Sequence, residues 1–121
     1  MKSFDFAEQI KKAQQAGKDS LEFLRVPALS LSTYRLAAGG PDPQQPHTED
    51  EVYYVAAGRG SLTIGSDVVP VAPGTVAFAA AGVEHRFSHI TDDLEVLVFW
   101  SPARHRGAPH MRERGSWSLD R

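Results

Sequence analysis

The sequence contains no cysteine, which excludes disulfide bonds, iron–sulfur clusters, thiolate zinc sites and cysteine nucleophiles at once. Any metal ion must therefore be held by nitrogen and oxygen ligands. The chain also lacks an apolar run long enough to span a bilayer, and its first residues lack the apolar segment of a secretory signal. We therefore expect a cytoplasmic protein with no membrane partner.

An excess of charge of one sign is absent as well. The 13 Lys and Arg residues nearly balance the 15 Asp and Glu residues, so the net charge is −2. Such a chain has no global field that attracts nucleic acid, and we expect no nucleic-acid partner. The hydrophobic fraction of 41% and the length of 121 residues are those of one globular domain with its own core.

Hydrophobic periodicity divides the chain into a short helical start and a long β region. Phe6, Ile10 and Ala13 recur at helical spacing before Gly17, which predicts one helix within Phe4–Ala16. After Gly17, short runs of Leu, Val, Tyr, Phe and Thr alternate with turn residues, as is typical of β-strands. Eight strands are predicted, at Leu21–Val26, Leu29–Leu36, Glu51–Ala56, Ser61–Ile64, Val68–Val71, Thr75–Ala79, His85–Ile90 and Glu95–Trp100.

The order of these elements favours antiparallel closure. A helix followed only by strands argues against a parallel α/β sheet, and eight antiparallel strands suit a jelly roll. We predict an all-β fold with a helical lead-in over residues 1–18 and a double-stranded β-helix, or jelly-roll, barrel over residues 19–102. The side chains expected to fill or line this barrel are Tyr53, Val55, Leu62, Ile64, Val76, Phe78, Phe87 and Trp100.

The C-terminal residues 103–121 are rich in Arg, Gly and Pro and show neither helical nor strand periodicity. We expect a flexible or docking tail. Its histidines, His105 and His110, are expected to face solvent.

Polar side chains cluster between Gly39 and Gly58. Gln45, His47 and Glu51 have the same parity, so on an extended chain their side chains leave on the same face. The neighbouring prolines favour an extended approach and place Gln45 and His47 at a strand end, where a ligand site would open.

His85 is the fourth candidate ligand and stands at the start of a later strand. Two imidazoles, a carboxylate and an amide oxygen suit one divalent ion of Fe, Zn, Ni, Mn or Cu, with positions left for water or substrate. We therefore predict a metal site formed by Gln45, His47, Glu51 and His85. The alternative is a polar rim of hydrogen-bonded strand residues, with Gln45 in a supporting position.

Three further residues near this cluster carry useful chemistry. Glu49 shares the parity of the predicted ligands and Tyr53 has a hydroxyl, so these two are the predicted catalytic, proton-handling residues, although acids in polar loops commonly face solvent. Arg35 could bind an anionic substrate group or face water, as most strand arginines do.

The spacing of these residues resembles two motifs of the cupin family. The first motif is matched by Gly39, Gln45, His47, Glu51 and Gly58. The second motif is matched by Gly74, Ala80, Gly82, His85 and His89. Three positions depart from the family pattern: Gln45 replaces a histidine, Ala80 a proline and His89 an asparagine.

The resemblance runs from Leu29 to Trp100 and is to small, single-domain bacterial cupins. It implies a jelly-roll barrel with one divalent metal ion on the four predicted ligands. Small cupins of this kind are often dimers, and a homodimer would also cover the open edges of a jelly roll.

Three functions remain open. A metal-dependent enzyme, dioxygenase-like or isomerase-like, would act on a small oxygenated organic substrate, and the metal would select the reaction class. A non-catalytic small-molecule-binding or sensing protein would use the ion to hold its ligand. A metal-free epimerase would need an acid–base pair in the pocket and ranks third.

Overall fold

The computed structural model of the protein describes residues 2–105, together with the backbone of 109–111 and 117–119. One helix, α1 (Phe6–Gln15), precedes the strands. The strands are β1 (Ser20–Val26), β2 (Leu29–Leu36), β3 (Asp50–Ile64), β4 (Asp67–Val71), β5 (Val76–Ala79), β6 (His85–Ser101), β7 (Pro109–Met111) and β8 (Trp117–Leu119). The predicted all-β fold with one short N-terminal helix is confirmed. Within the described ranges, no helix has the length and hydrophobicity needed to cross a bilayer.

Helix α1 begins after Asp5, whose carboxylate accepts a hydrogen bond from the Ala7 backbone N–H at 3.0 Å. Such a cap stabilises a helix by roughly 0.5–2 kcal/mol, and it explains why the helix starts later than Phe4. Ile10 and Ala13 are buried, and the helix contacts β1 and β2. The helix therefore covers part of the outer face of the sheet.

The main sheet is antiparallel throughout, in the order β1-β2-β6-β3-β4, and β5 also pairs with β3. In the tail, β7 and β8 form a separate two-stranded antiparallel sheet. The two longest strands, β3 and β6, pair with each other, and between them they also pair with β2, β4 and β5.

Each long strand replaces two predicted strands. The breaks predicted between Ala56 and Ser61 and between Ile90 and Glu95 are wrong, because both strands continue through these segments with register shifts in their pairing. Gly58 has a φ of +95°, and a Cβ atom at this position would lie 2.3 Å from the Asp93 carbonyl oxygen. Glycine here allows a bulge and close backbone approach within a strand, which a turn signal does not distinguish from a hairpin.

These register shifts let the paired strands β3 and β6, the β3–β6 ladder, bend back across the barrel. A straight strand from Glu51 to Ile64 would be about 43 Å long. Ile64 pairs with His85, yet the Glu51 Oε1 atom lies only 3.0 Å from His85 Nε2. The first half of β3 and the first half of β6 therefore face each other across the barrel interior.

Alternate side chains of β3 and β6 fill that interior. The buried core consists of Leu36, Tyr53, Val55, Leu62, Val71, Ala79, Phe87, Ile90, Leu94, Val96, Val98 and Trp100. The expectation that Val76 and Phe78 fill the barrel is wrong, since they are 65% and 57% exposed. Strand β5 turns its small residue Ala79 inward, and its larger apolar side chains lie on the outer face.

Candidate metal centre

His47 lies in the loop before β3, and its backbone fixes it to the turn before β6. The His47 carbonyl oxygen accepts a hydrogen bond from the Gly82 N–H at 2.6 Å. Gly82 has a φ of +76°, a conformation that glycine adopts without steric cost. The two segments that carry the predicted histidines are thus tied together.

Three of the predicted ligands converge inside this end of the barrel. His47, Glu51 and His85 each offer a ligand atom, and these atoms all lie within 4.8 Å of one another. All three side chains are buried, and the imidazole centroids are 5.9 Å apart. We call His47, Glu51 and His85 the triad.

His85 is oriented by its backbone neighbour. Its Nδ1 atom lies 2.9 Å from the Val83 carbonyl oxygen, to which it donates, so Nε2 faces Glu51 Oε1 at 3.0 Å. A hydrogen bond of this kind fixes the ring of a metal-binding histidine. Burial alone lowers the pKa of His85, but the hydrogen bond to Glu51 and its negative charge outweigh it, so this pKa is raised.

The glutamine that reaches the triad is Gln44. Its Oε1 atom accepts a hydrogen bond from the Tyr53 hydroxyl at 3.0 Å and lies 3.0 Å from His85 Nε2. Gln45, the predicted fourth ligand, is exposed. The parity that groups Gln45 with His47 does not hold here, because this proline-flanked segment is not a strand and its side chains do not alternate.

Asp42 holds Gln44 in place and has no counterpart among the sequence predictions. Its buried carboxylate accepts hydrogen bonds from the Tyr34 hydroxyl, from the Gln44 side-chain amide and from the Phe87 N–H, the last at 2.8 Å. Burial and the bond to Asp42 raise the pKa of Tyr34. An aspartate between two prolines suggests a turn acceptor, and Asp42 does accept from the Gln44 N–H at 3.2 Å, but its Tyr34 and Phe87 donors come from the strands β2 and β6.

Tyr53 is fully buried in the barrel. Its ring meets Phe87 edge-on, with 5.2 Å between centroids, while its hydroxyl donates to Gln44. Burial, followed by the negative charge of Glu51, raises the pKa of Tyr53 well above its usual range. The hydroxyl therefore stays protonated and acts as a hydrogen-bond donor at neutral pH.

Trp100 and Arg104 form a second group of side chains next to His47. The ring of Trp100 meets His47 edge-on, with 4.5 Å between centroids, and the guanidinium carbon of Arg104 lies 4.9 Å from the Trp100 ring centroid. Burial, and then the positive charges of Arg104 and His85, lower the pKa of His47 to about 3. His47 is therefore neutral, as a metal ligand must be.

Glu49 is buried and paired with the tail. Its Oε2 atom lies 2.7 Å from His105 Nδ1 and also accepts from the His105 backbone N–H at 3.2 Å. The expectation that His105 faces solvent is wrong, because a buried carboxylate requires hydrogen-bond donors. The side chain of His110 lies outside the described residues.

Two other residues singled out by the sequence take no part in this site. Arg35 forms ion pairs with Asp93 at 2.8 Å and Glu95 at 4.0 Å. His89 is exposed and contacts the Ser88 hydroxyl.

The family described as the Cupin domain matches residues 32–102, which is more than half of the chain and includes the whole triad. The chain belongs to the cupin family. This cupin is 45% identical to an uncharacterized protein of Streptomyces coelicolor over 104 residues, which cover 84% of this chain and 97% of that protein.

Solved structures share the fold of this cupin. The TT1209 protein of Thermus thermophilus aligns with a TM-score of 0.68 at 21% identity, covering 85% of this chain and 99% of that one. A predicted oxalate decarboxylase of Thermotoga maritima aligns with a TM-score of 0.60 at 23% identity, covering 69% and 78% of the two chains. These likenesses confirm the predicted jelly-roll barrel, and at such identities they show the fold alone.

The triad of this cupin fits a divalent metal ion. Two imidazoles and a carboxylate form a common donor set for first-row metals. Glu51 Oε2 and His47 Nδ1 are buried and have no hydrogen-bond partner among the described residues. Such atoms are costly to bury, and coordination of an ion by the triad would offset part of this cost.

Proposed function

We propose that this cupin is a metal-dependent enzyme, dioxygenase-like or isomerase-like, that acts on a small oxygenated organic substrate. The observation that carries this proposal is the buried triad, in which His85 is already oriented by Val83. An ion of Fe, Mn, Ni or Cu would supply redox and Lewis-acid chemistry there, whereas Zn would supply Lewis-acid chemistry alone.

We propose His47, Glu51 and His85 as the ligands and Gln44, rather than Gln45, as the fourth donor. The amide of Gln44 is oriented at both ends, since its nitrogen donates to Asp42 and its oxygen accepts from Tyr53. That oxygen is 3.0 Å from His85 Nε2 and therefore lies beside the proposed ion.

Glu49 and Tyr53 remain our proposed proton-handling residues. Tyr53 is a protonated donor, and its hydroxyl bonds to the Gln44 oxygen that lies beside His85. Glu49 is a buried carboxylate whose Oε1 atom has no partner among the described residues, while Oε2 is engaged by His105. Tyr53 offers a donor beside Gln44, and Glu49 offers an acceptor two residues from both His47 and Glu51 along the chain.

The alternative is a non-catalytic cupin that binds or senses a small molecule. The nearly complete burial of all three triad residues also suits this alternative, because a deeply held ion can fix the barrel or a ligand without taking part in a reaction. The fold does not decide between the two, since function depends on the site and not on the fold.

Elemental analysis of the purified, untagged protein tests the metal proposal. We expect close to one divalent ion per chain in the wild type, and loss of this ion in His47→Ala and His85→Ala. The exposed His89→Ala variant is the matched control and should retain the ion. Equal metal content in the wild type and in both triad variants would overturn the ligand assignment and favour a metal-free function.

Turnover separates the enzyme from the binding protein. The metal-loaded protein is incubated with a panel of small oxygenated organic molecules, and products and oxygen consumption are measured. Conversion that disappears in His85→Ala supports the enzyme, whereas saturable binding of a panel member without conversion supports the alternative.

We propose a second copy of the chain as a protein partner. Exposed apolar side chains lie on the outer face of β3 and β5, where Tyr54 pairs with Val76 and Val52 with Phe78. Burying such a surface would stabilise a dimer. Sedimentation analysis should show a dimer that Phe78→Ser weakens and Val26→Ser, on β1, does not. A monomeric wild type would contradict this proposal.

A further inference from the structure

Arg104 brings a positive charge close to the triad, although it lies beyond the last barrel strand. Its guanidinium carbon is 4.9 Å from the centroid of Trp100, and the Trp100 ring in turn contacts the ring of His47. One aromatic side chain therefore separates the guanidinium from a proposed ligand.

The backbone around Arg104 is held in place by β1, β2 and the turn between them. The Arg104 N–H donates to the hydroxyl of the buried Ser30 at 3.0 Å, and the Arg104 carbonyl oxygen accepts from the Arg25 guanidinium at 2.6 Å. The preceding Ala103 N–H donates to the Pro27 carbonyl oxygen at 3.3 Å. The guanidinium is therefore carried by a segment with a defined position.

The charge of Arg104 is not neutralised by any carboxylate of residues 2–105, since no ion pair within 4.0 Å involves it. Arg35, by contrast, is paired with Asp93, and the buried acid Glu49 is engaged by His105. A guanidinium without such a partner can pair with the carboxylate of a bound molecule.

Two buried N–H donors in this region lack acceptors. Arg104 Nε and Trp100 Nε1 are both buried and have no hydrogen-bond partner among the described residues. An unpartnered buried donor is costly, and a planar guanidinium matches a carboxylate with two parallel hydrogen bonds. A carboxylate that reaches the guanidinium would satisfy the Arg104 Nε–H.

We propose that Arg104 binds a carboxylate group of the substrate, so that this cupin takes small organic acids in preference to neutral molecules. The inference rests on the proposed function, because the triad and its ion would hold the oxygen atoms at the other end of the same molecule. Trp100 packs against the guanidinium and keeps its position.

Calorimetric titration of the zinc-loaded protein with malonate, succinate and glutarate tests this assignment, with succinamide as the neutral probe. We expect at least one dicarboxylate to bind more tightly than succinamide. Arg104→Gln should raise the Kd of that dicarboxylate by roughly tenfold or more and leave succinamide unchanged. Arg104→Lys keeps the charge without the planar fork and should lie between the two.

The matched control is Arg59→Gln, which removes the same charge from an exposed position of β3. Equal dicarboxylate affinity in the wild type and in Arg104→Gln would overturn the inference, and so would a wild type that binds no dicarboxylate. If Arg104→Gln does not fold, as judged by circular dichroism, the comparison of Arg104→Lys with the wild type decides.

The zinc content of each sample tests the proposed function separately. If the wild type holds no zinc, the proposed function fails, and the same titrations on the metal-free protein still decide the role of Arg104. If zinc is held by all variants but Arg104→Gln has no effect, the inference alone fails.

Discussion

The two histidines of the triad lie in opposite electrostatic surroundings. His85 faces Glu51 on the barrel side, and its pKa is raised. His47 lies against Trp100 on the tail side, near Arg104, and its pKa is lowered to about 3. The difference shows that Glu51 stabilises positive charge at His85, whereas burial and the nearby positive charges of Arg104 and His85 keep His47 neutral.

Removing the charge of Glu51 would disrupt this contrast most strongly. We expect Glu51→Gln to weaken zinc binding by more than about 100-fold, because even residues outside the coordination shell contribute roughly 10–100-fold. The pKa of His85 should fall toward that of His47, since its main stabilising partner is neutral in the variant. Chelator competition measures the affinity, and NMR titration of the imidazoles measures the pKa.

Asp67→Asn is the control for this variant, because it removes one negative charge from an exposed position of β4. It should bind zinc as the wild type does. Wild-type affinity in Glu51→Gln would show that the carboxylate is not a ligand.

The pH dependence of metal binding tests whether the histidines differ as described. His47 is already neutral, so only His85 must release a proton, and affinity should fall about tenfold per pH unit below the folded pKa of His85. Zinc titrations from about pH 5 to about pH 8 cover the range in which histidine titrates. A fall of about a hundredfold per unit would mean that both histidines bind protons and would contradict the contrast.

The contribution of His85 to the stability of the metal-free protein should change in the other direction. Because the pKa of His85 is raised on folding, its contribution is fully present below the unfolded value of about 6.5 and is lost as the pH rises through the folded value. Denaturant titrations of the metal-free His85→Ala variant should lack this pH dependence.

The smallest expected effect is a difference in zinc affinity between substitutions at two adjacent glutamines. Gln44→Ala removes the amide that contacts His85 and Tyr53, and we expect zinc affinity to fall about tenfold. Gln45→Ala alters an exposed side chain and should leave the affinity unchanged. The reverse result would restore Gln45 as the ligand.

Those glutamines also show where prediction from sequence succeeds and fails. The grouping of His47 with Glu51 is predicted from alternation, and alternate burial does extend from Glu51 back to His47, although His47 precedes β3; His85 is identified by motif spacing. Alternation requires a pleated strand, so it does not apply to the proline-flanked loop, where Gln45 is exposed, and it does not reveal Asp42 or Gln44.

The positions of Arg104 and His105 near the triad could not be predicted from the sequence, for a different reason. Arg104 and His105 follow no periodic pattern, and their positions depend on contacts with Ser30 and Glu49, which are distant in sequence. In the same way, Gly58 predicts a turn from sequence alone, and its role within a strand becomes evident only from the closely opposed Asp93 backbone. Local residue patterns do not contain these tertiary contacts.

The bending of the paired strands β3 and β6 across the barrel affects the order in which the chain folds. Ile64 and His85 are closer along the chain than Glu51 and its partner Trp100, so the first pair closes the smaller loop at the lower entropic cost. We expect pairing to begin near Ile64 and to bring Glu51 opposite His85 only when the ladder is complete. An ion on the triad would then bind the finished barrel and not its precursors, and would slow the opening of the chain at the Glu51 end.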